Sequence, residues 1–157
     1  MKSNVTNLSD DTVLRRVTAL SVAWGFNTFA FSIVYPFLPL YLNQQRGFPM
    51  KIVGLMYPIM GIAAIIGGPV AGILADRFGR RQLIIGGPVG RSVVFLVLAA
   101  LAAVHAPFAA IAAGLFFSSL LGAFFQNGSN AYVTDMVAGE DRTVAFSTLR
   151  VLSLIHI

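Results

Sequence analysis

The stretch from Gly72 to Leu83, Gly-Ile-Leu-Ala-Asp-Arg-Phe-Gly-Arg-Arg-Gln-Leu, decides the fold because it places charged residues between two long apolar runs. Residues 52–75 contain no charged side chain, and residues 82–105 contain only Arg91. About 20 apolar residues suffice to cross a bilayer as a helix, so both runs are long enough. The stretch is therefore predicted to be a tight charged hairpin that joins two membrane helices on one side of a bilayer.

Asp76 is the residue of this hairpin that needs compensation. It is predicted to lie at the C-terminal end of a helix, where the helix dipole disfavours a carboxylate by about 0.3–1 kcal/mol. The arginines that follow it are within reach and are of the opposite charge. Gly79 allows a sharp turn, and Gly72, one helical turn before Asp76, lets another helix come close.

The composition places the whole chain in lipid. Of its 157 residues, 57% are hydrophobic and 11% are charged, and the mean hydropathy is +0.79. The net charge of +5 does not indicate nucleic-acid binding, because the basic residues cluster at predicted helix ends rather than on one aromatic-rich face. The chain has no cysteine. It also has no Ser–His pair or paired mid-membrane carboxylate, so neither an enzyme, a metal site nor a cofactor is expected.

The apolar runs predict an all-α membrane protein with about four and a half transmembrane helices. Residues 1–16 are expected to form a cytoplasmic tail. Residues 17–151 are expected to form the membrane domain, with spans at residues 17–42, 52–75, 82–105 and 108–133 and a fifth helix from about residue 144.

The distribution of basic residues predicts the orientation in the cell (inner) membrane. Only Arg46 and Lys51 fall on one side, and seven basic residues fall on the other. These seven are Lys2, Arg15, Arg16, Arg77, Arg80, Arg81 and Arg142. Because positive loops stay in the cytoplasm, the N-terminus and the 72–83 stretch are predicted to be cytoplasmic.

Span one carries a polar and aromatic stripe along an otherwise apolar helix, which predicts either a water-filled cavity or a partner helix beside it. The stripe and its edge comprise Ser21, Trp24, Asn27, Thr28, Ser32 and Tyr35. A second candidate cavity lining lies on span four, where Ser119, Gln126 and Asn130 share a face with Gly122 beside them. Hydrogen bonds between helices, worth roughly 0.6 kcal/mol each, explain either set equally well.

Span two has a face of glycines, Gly54, Gly61, Gly68 and Gly72, which is predicted to pack closely against another helix. Span three carries Arg91 about eight residues inside its apolar run. An arginine at that depth costs on the order of 2.5 kcal/mol or more in lipid. Arg91 is therefore expected to face the protein interior, to pair with an acid or to bind substrate. The alternative is that it extends its side chain to the cytoplasmic surface.

The 72–83 stretch resembles the loop between helices two and three of the major facilitator superfamily, which reads Gly-x-Leu-Ala-Asp-Arg-x-Gly-Arg-Arg or Lys. The matching positions are Gly72, Leu74, Ala75, Asp76, Arg77, Gly79, Arg80 and Arg81. The resemblance implies the N-terminal part of a twelve-helix fold with two six-helix halves, whose C-terminal half is missing here. It also implies that Asp76 and Arg80 join Asp135 in a charge cluster that acts as a conformational switch.

The stretch from Asp135 to Arg142, with Arg150 after it, resembles drug-efflux members of this superfamily. One departure is that such members often carry an arginine three residues before a glycine of span four, where this chain has Ser119 before Gly122. The resemblance implies a secondary transporter that exports hydrophobic or amphipathic small molecules by alternating access. A coupling proton would need an acid outside spans one to four.

Two other functions stay open from the sequence. One is uptake of a metabolite or organic anion, with Arg91 as the counter-charge, and the other is a four-helix membrane interaction protein without transport. The last six residues, 152–157, match the translated end of a sequencing-library transposon, and we expect them to be an artefact.

Overall fold

The computed structural model describes residues 11–136 and Ser147, except for the side chains of residues 11–14, 16, 17 and 136. The predictions for residues 1–10, for the start of the fifth helix and for residues 152–157 lie outside the described residues. All regular structure in the described range is helical. It comprises α1 (Asp11–Leu40), a π-helical segment (Tyr41–Gln45), α2 (Met50–Gly54), α3 (Met56–Phe78), α4 (Arg80–Ala103) and α5 (Phe108–Met136).

Four segments of the described chain are long and apolar enough to cross a membrane. They are Thr18–Gln45, Met50–Phe78, Arg80–Ala103 and Phe108–Asp135, and each overlaps one of the four apolar runs of the sequence. The first helix begins at Asp11 rather than near residue 17, because hydropathy locates the apolar part of a helix and not its polar extension. The predicted tail of residues 1–16 is therefore partly helical.

Span two is interrupted near its start. α2 ends at Gly54 and α3 begins at Met56, so the second apolar run is two helices rather than one. Pro58 explains the break, because proline has no N–H to donate to the carbonyl four residues earlier and its ring clashes with that carbonyl. The neighbouring Ile59 N–H still bonds to the Leu55 carbonyl at 3.2 Å, so the helix resumes at once.

The described chain divides into two compact units, residues 36–128 and residues 11–35 together with 129–136. Residues 104–107 connect α4 to α5, and we call this segment the His105 connection. The unit of residues 36–128 has a buried apolar cluster near it. The cluster consists of Leu42, Val53, Met56, Leu98, Ile111 and Leu115. Residues from five helical segments meet there, so the cluster holds that end of the unit together.

Glycines bring α5 into close contact with both α3 and α4. A Cβ atom added to Gly87 of α4 would lie 3.0 Å from the Leu121 carbonyl oxygen and from Phe125 of α5. A Cβ atom added to Gly67 of α3 would lie 2.6 Å from Cβ of Ala123. The missing side chains therefore allow backbone approach that any larger residue would block.

The predicted close-packing face of span two is not the face used within the described residues. Cβ atoms added to Gly54, Gly61, Gly68 and Gly72 would meet nothing within 4 Å. Gly67, which lies on a different side of α3, makes the close approach instead. Spacing alone identifies a glycine stripe but not the direction from which a neighbouring helix arrives.

Candidate functional site

The 72–83 stretch forms the tight hairpin that its sequence predicts. Gly79 is the single residue between α3 and α4, with φ of 88° and ψ of 147°. Its N–H donates to the Ala75 carbonyl at 2.9 Å, which satisfies one of the last carbonyls of α3. A side chain is disfavoured in this conformation, so the turn depends on glycine at this position.

The charged residues of this hairpin lie at its surface. Asp76 is in the last turn of α3 and is exposed, as are Arg77 and Arg81, and Arg80 is half-buried. The Arg77 guanidinium lies 5.5 Å from the centre of the Phe78 ring, a cation–π contact. The positive start of α4 and its arginines therefore follow the Asp76 carboxylate directly, as the dipole argument requires.

Asp135 lies in the last turn of α5, in the other unit, and is exposed. It is thus placed at the end of a helix, as Asp76 is, and on the charged stretch that the sequence singled out. Its association with Asp76 and Arg80 in a charge cluster stays a prediction.

The polar stripe of span one is on the shielded side of α1. Trp24, Asn27, Thr28 and Ser32 are half-buried and Tyr35 is buried, and its ring stacks on Phe31 with centroids 3.5 Å apart. By contrast, the exposed large apolar side chains of this helix fall elsewhere on its surface. They are Val22, Phe26, Phe29, Ile33, Phe37 and Leu40. α1 therefore has an apolar exposed surface and a polar shielded one, and the role of the stripe in substrate binding stays a prediction.

The three residues of the predicted face on α5 have different surroundings. Ser119 is half-buried and donates from Oγ to the Met60 carbonyl of α3 at 2.9 Å, a bond between helices. Gln126 is exposed and Asn130 is half-buried, and the Asn130 carbonyl accepts a bond from Thr134 Oγ1 at 2.9 Å. For Ser119 the hydrogen-bonding interpretation is therefore sufficient.

Arg91 points to α5 rather than along α4 to the surface. Its side chain is 6% exposed, and its Nε donates to Oγ of Ser118 at 3.2 Å. Its guanidinium carbon lies 5.6 Å from the centre of the Phe95 ring. The interior alternative for Arg91 agrees with this geometry, and the surface alternative does not.

Ser118 is the residue that sequence reasoning missed. It is completely buried, whereas the neighbouring Ser119 was chosen for the predicted polar face. Comparing the depths of residues in two consecutive antiparallel helices could have identified Ser118. Arg91 lies 12 residues before the end of α4 at Ala103, and Ser118 lies 10 residues after the start of α5 at Phe108. Equal rise per residue puts the two side chains at nearly the same depth.

Arg46 lies in the short connection between the π-helical segment and α2, and it hydrogen-bonds to the end of α4 and to the His105 connection. Its guanidinium donates to the Ala106 carbonyl at 2.8 Å and to the Ala102 carbonyl at 3.4 Å. Tyr41 donates to the same Ala102 carbonyl at 3.2 Å. The Ala102 carbonyl belongs to the last turn of α4, where a positive charge is favourable, and the Ala106 carbonyl lies in the connection that follows it.

An apolar groove of about 510 Å³ opens on the surface between Ile59 of α3 and the part of α5 from Phe108 to Phe117. None of the predicted cavity residues lines it. Within the described residues, no group of three or more His, Cys, Asp or Glu side chains is arranged to hold a metal ion. The polar groups described above therefore lie at the charged hairpin, on the α1 stripe, at Arg91 and at the Arg46 contacts after α4.

Comparison with known proteins identifies the fold that this arrangement belongs to. A sequence profile of the Major Facilitator Superfamily matches residues 20–155. The chain belongs to the major facilitator superfamily. This confirms the resemblance drawn from the 72–83 stretch, and with the four apolar helices it confirms the predicted all-α fold of a multi-pass membrane protein.

Three relatives are named multidrug resistance protein MdtG. The protein of Erwinia billingiae is 37% identical over 126 residues, covering 75% of this chain and 29% of the relative. That of Citrobacter koseri is 34% identical over 137 residues, covering 83% and 32%. That of an Escherichia coli O1:K1 strain is 33% identical over 147 residues, covering 89% and 35%. The chain thus spans about a third of the length of the curated relatives it matches.

The Arg91 guanidinium lies against Gly122 of α5, close to the position of Ser119. The resemblance drawn from the sequence implies an arginine three residues before Gly122 in drug-efflux members, and this chain has Ser119 there. The structure brings a guanidinium to Gly122 from the neighbouring helix, because Nη1 of Arg91 lies 3.2 Å from where a Cβ of Gly122 would be.

Proposed function

We propose that the full-length protein containing this chain is a secondary active transporter that exports hydrophobic or amphipathic small molecules by alternating access. The observation that carries the proposal is the similarity, at 33–37% identity, to relatives named multidrug resistance proteins. Four apolar helices provide the membrane-crossing frame, and the shielded polar stripe of α1 provides a surface on which a substrate can be bound.

The protein is placed in the bacterial inner membrane with its N-terminus and the 72–83 hairpin in the cytoplasm. Three arginines in this hairpin support the orientation, because basic residues are retained on the cytoplasmic side. On the opposite side, Arg46 is bound to helix carbonyls at the His105 connection, so its charge has a local structural use there.

The hairpin serves as the conformational switch of the transporter. Three observations support this role: the open small-residue face at Gly72, the exposed carboxylate of Asp76 at a helix end, and the one-residue turn at Gly79. The open glycine face of α3 is the surface on which a helix of the other half docks. Asp135 and the arginines of the hairpin complete the charge cluster.

Efflux by the full-length protein tests this function. The source locus is sequenced to its first in-frame stop codon, and the gene is expressed in bacteria that lack their own multidrug pumps. We expect the wild type to lower the accumulation of a hydrophobic fluorescent compound, and a protonophore to abolish the effect if a proton drives it. Asp76→Asn is expected to reduce efflux strongly, and Ser92→Ala, an exposed site on α4, is the matched control.

Two results would contradict the proposal. One is accumulation in the wild-type strain equal to that in the empty-vector strain for every compound of a chemically varied set. The other is robust, saturable transport in liposomes by the 157-residue chain alone, because an alternating-access transporter needs both halves.

Uptake of an organic anion is the second candidate function, and the burial of Arg91 favours it. A guanidinium keeps its positive charge at any physiological pH, and this one is buried at mid-helix depth. Arg91→Ala separates the two functions. If this variant no longer binds the anion, uptake is favoured. If the variant keeps its drug export and its anion binding is unchanged, this second candidate is removed.

A further inference from the structure

Arg91 lies at the centre of its membrane span. α4 has 24 residues, from Arg80 to Ala103, and Arg91 is 11 residues from its start. At 1.5 Å per residue this is about 17 Å along the helix axis, near the middle of a hydrocarbon core of about 30 Å. A charged side chain at that depth is costly unless the protein gives it polar contacts.

Ser118 supplies one such contact from the adjacent helix. Nε of Arg91 donates to Oγ of Ser118 at 3.2 Å, and both side chains are buried. The Phe95 ring, one turn further along α4, contacts the guanidinium at 5.6 Å. The guanidinium is therefore held from its own helix by an aromatic face and from α5 by a hydroxyl group.

Gly122 provides the space for the outer end of the guanidinium. It lies four residues after Ser118, on the same side of α5. A Cβ atom at Gly122 would be 3.2 Å from Nη1 and 3.3 Å from Cζ of Arg91, closer than ordinary contact. The guanidinium thus rests on the backbone of α5 at a point that only glycine leaves open.

We infer that Ser118 and Gly122 are positioning residues that hold the Arg91 guanidinium as a mid-membrane joint between α4 and α5, so that the two helices move as one body during transport. The inference rests on the proposed transport function. Apolar contacts between helices resist separation but tolerate small sliding movements. A buried charged hydrogen bond is more sensitive to them, because sliding would move Ser118 Oγ out of hydrogen-bond distance of a buried cation.

Efflux kinetics of the full-length protein test the joint. Ser118→Ala is expected to lower the maximal rate roughly tenfold, the size expected for losing one hydrogen bond to a charged group, with little change in KM. Ser118→Thr keeps the hydroxyl and is expected to restore most of the rate. Ser92→Ala is the matched control, because Ser92 is an exposed neighbour of Arg91 whose hydroxyl bonds only within α4, to the Pro88 carbonyl at 2.9 Å.

A double-mutant cycle shows whether Ser118 acts through Arg91. If it does, Ser118→Ala causes no further loss when Arg91 is already alanine. Gly122→Ala is expected to lower the rate in the wild type, because its methyl group displaces the guanidinium, and to be harmless in the Arg91→Ala background. Additive losses in either cycle, or a rate for Ser118→Ala equal to that of Ser92→Ala, would overturn the inference.

Cross-linking gives a readout that does not depend on transport. A cysteine pair, G90C/L121C, joins neighbouring positions of α4 and α5, since a Cβ at Gly90 would lie 3.3 Å from Cδ1 of Leu121. In a cysteine-free background, the joint predicts slower cross-linking with Ser118→Ala than with Ser92→Ala. If Ser118→Ala slows cross-linking relative to Ser92→Ala but the protein without these substitutions exports nothing, the proposed function fails and the joint stands. Unchanged cross-linking in an active transporter would do the reverse.

Discussion

Replacing Gly87 with alanine places a methyl group into a close contact between α4 and the backbone of α5. The new Cβ would lie 3.0 Å from the Leu121 carbonyl oxygen and 3.0 Å from the backbone nitrogen and Cβ of Phe125. These atoms belong to a helix backbone and cannot rotate away. α5 would therefore have to shift by several tenths of an ångström, against packing along the rest of the interface.

Gly86→Ala is the matched control for this change. Gly86 is the preceding residue of the same helix, and a Cβ there would meet nothing within 4 Å. Both substitutions gain the same helix propensity, roughly 1 kcal/mol, so this contribution cancels in the comparison. The remaining difference is the cost of overpacking, and we expect Gly87→Ala to be less stable than Gly86→Ala by about 1–3 kcal/mol.

The free energy of unfolding of the full-length protein in mixed detergent micelles measures this difference. The fraction of sodium dodecyl sulfate is raised stepwise, and circular dichroism follows the loss of native structure for both variants. Equal unfolding curves would refute the reasoning, because they would mean that the α4–α5 interface accommodates the methyl group at Gly87 without cost despite the 3.0 Å distances. A loss in Gly86→Ala larger than in Gly87→Ala would refute it equally.

Two further variants test the two ends of the bundle. Arg46→Ala should destabilise the protein by about 1.5–3 kcal/mol in the same detergent titration, because charged hydrogen bonds to the Ala102 and Ala106 carbonyls are lost. Lys51→Ala, an exposed change nearby, should leave the midpoint unchanged, and equal midpoints for both would contradict the argument. Gly79→Ala should cost about 1–3 kcal/mol, because φ of 88° is strained for a residue with a side chain, and the yield of folded protein on size-exclusion chromatography should fall. A yield equal to wild type would show that the turn relaxes without cost.

The charged hairpin could be predicted from the sequence because its determinants are local. The run of apolar residues ends at Asp76, Gly79 permits the turn, and the next run begins within three residues. Helix ends and one-residue turns depend on neighbouring residues in the chain, so composition and spacing were enough. The break between α2 and α3 at Leu55 is also local and follows from Pro58. The hydropathy pattern does not reveal it, because the residues on both sides of the break are apolar.

The surroundings of Arg91 could not be predicted in the same way. Two side-chain directions were open to it, and the choice depends on whether α5 presents an acceptor at the same depth. Ser118 does so, and Gly122 leaves the necessary space. The sequence contains both residues, but their alignment with Arg91 requires the register of two antiparallel helices.

The sequence by itself determined that this chain crosses a membrane four times within the described residues, where its tight charged turn lies, and which superfamily it resembles. These properties follow from hydrophobic length and local backbone preferences, which act over a few residues along the chain. Only the tertiary structure decided which glycines are contacts and which are open, and that Arg91 is bound to α5. The reason is that helix rotation and register are set by side-chain packing between segments that lie 20 to 60 residues apart in the chain, as in the bonds from Arg91 to Ser118 (27 residues) and from Ser119 to Met60 (59 residues).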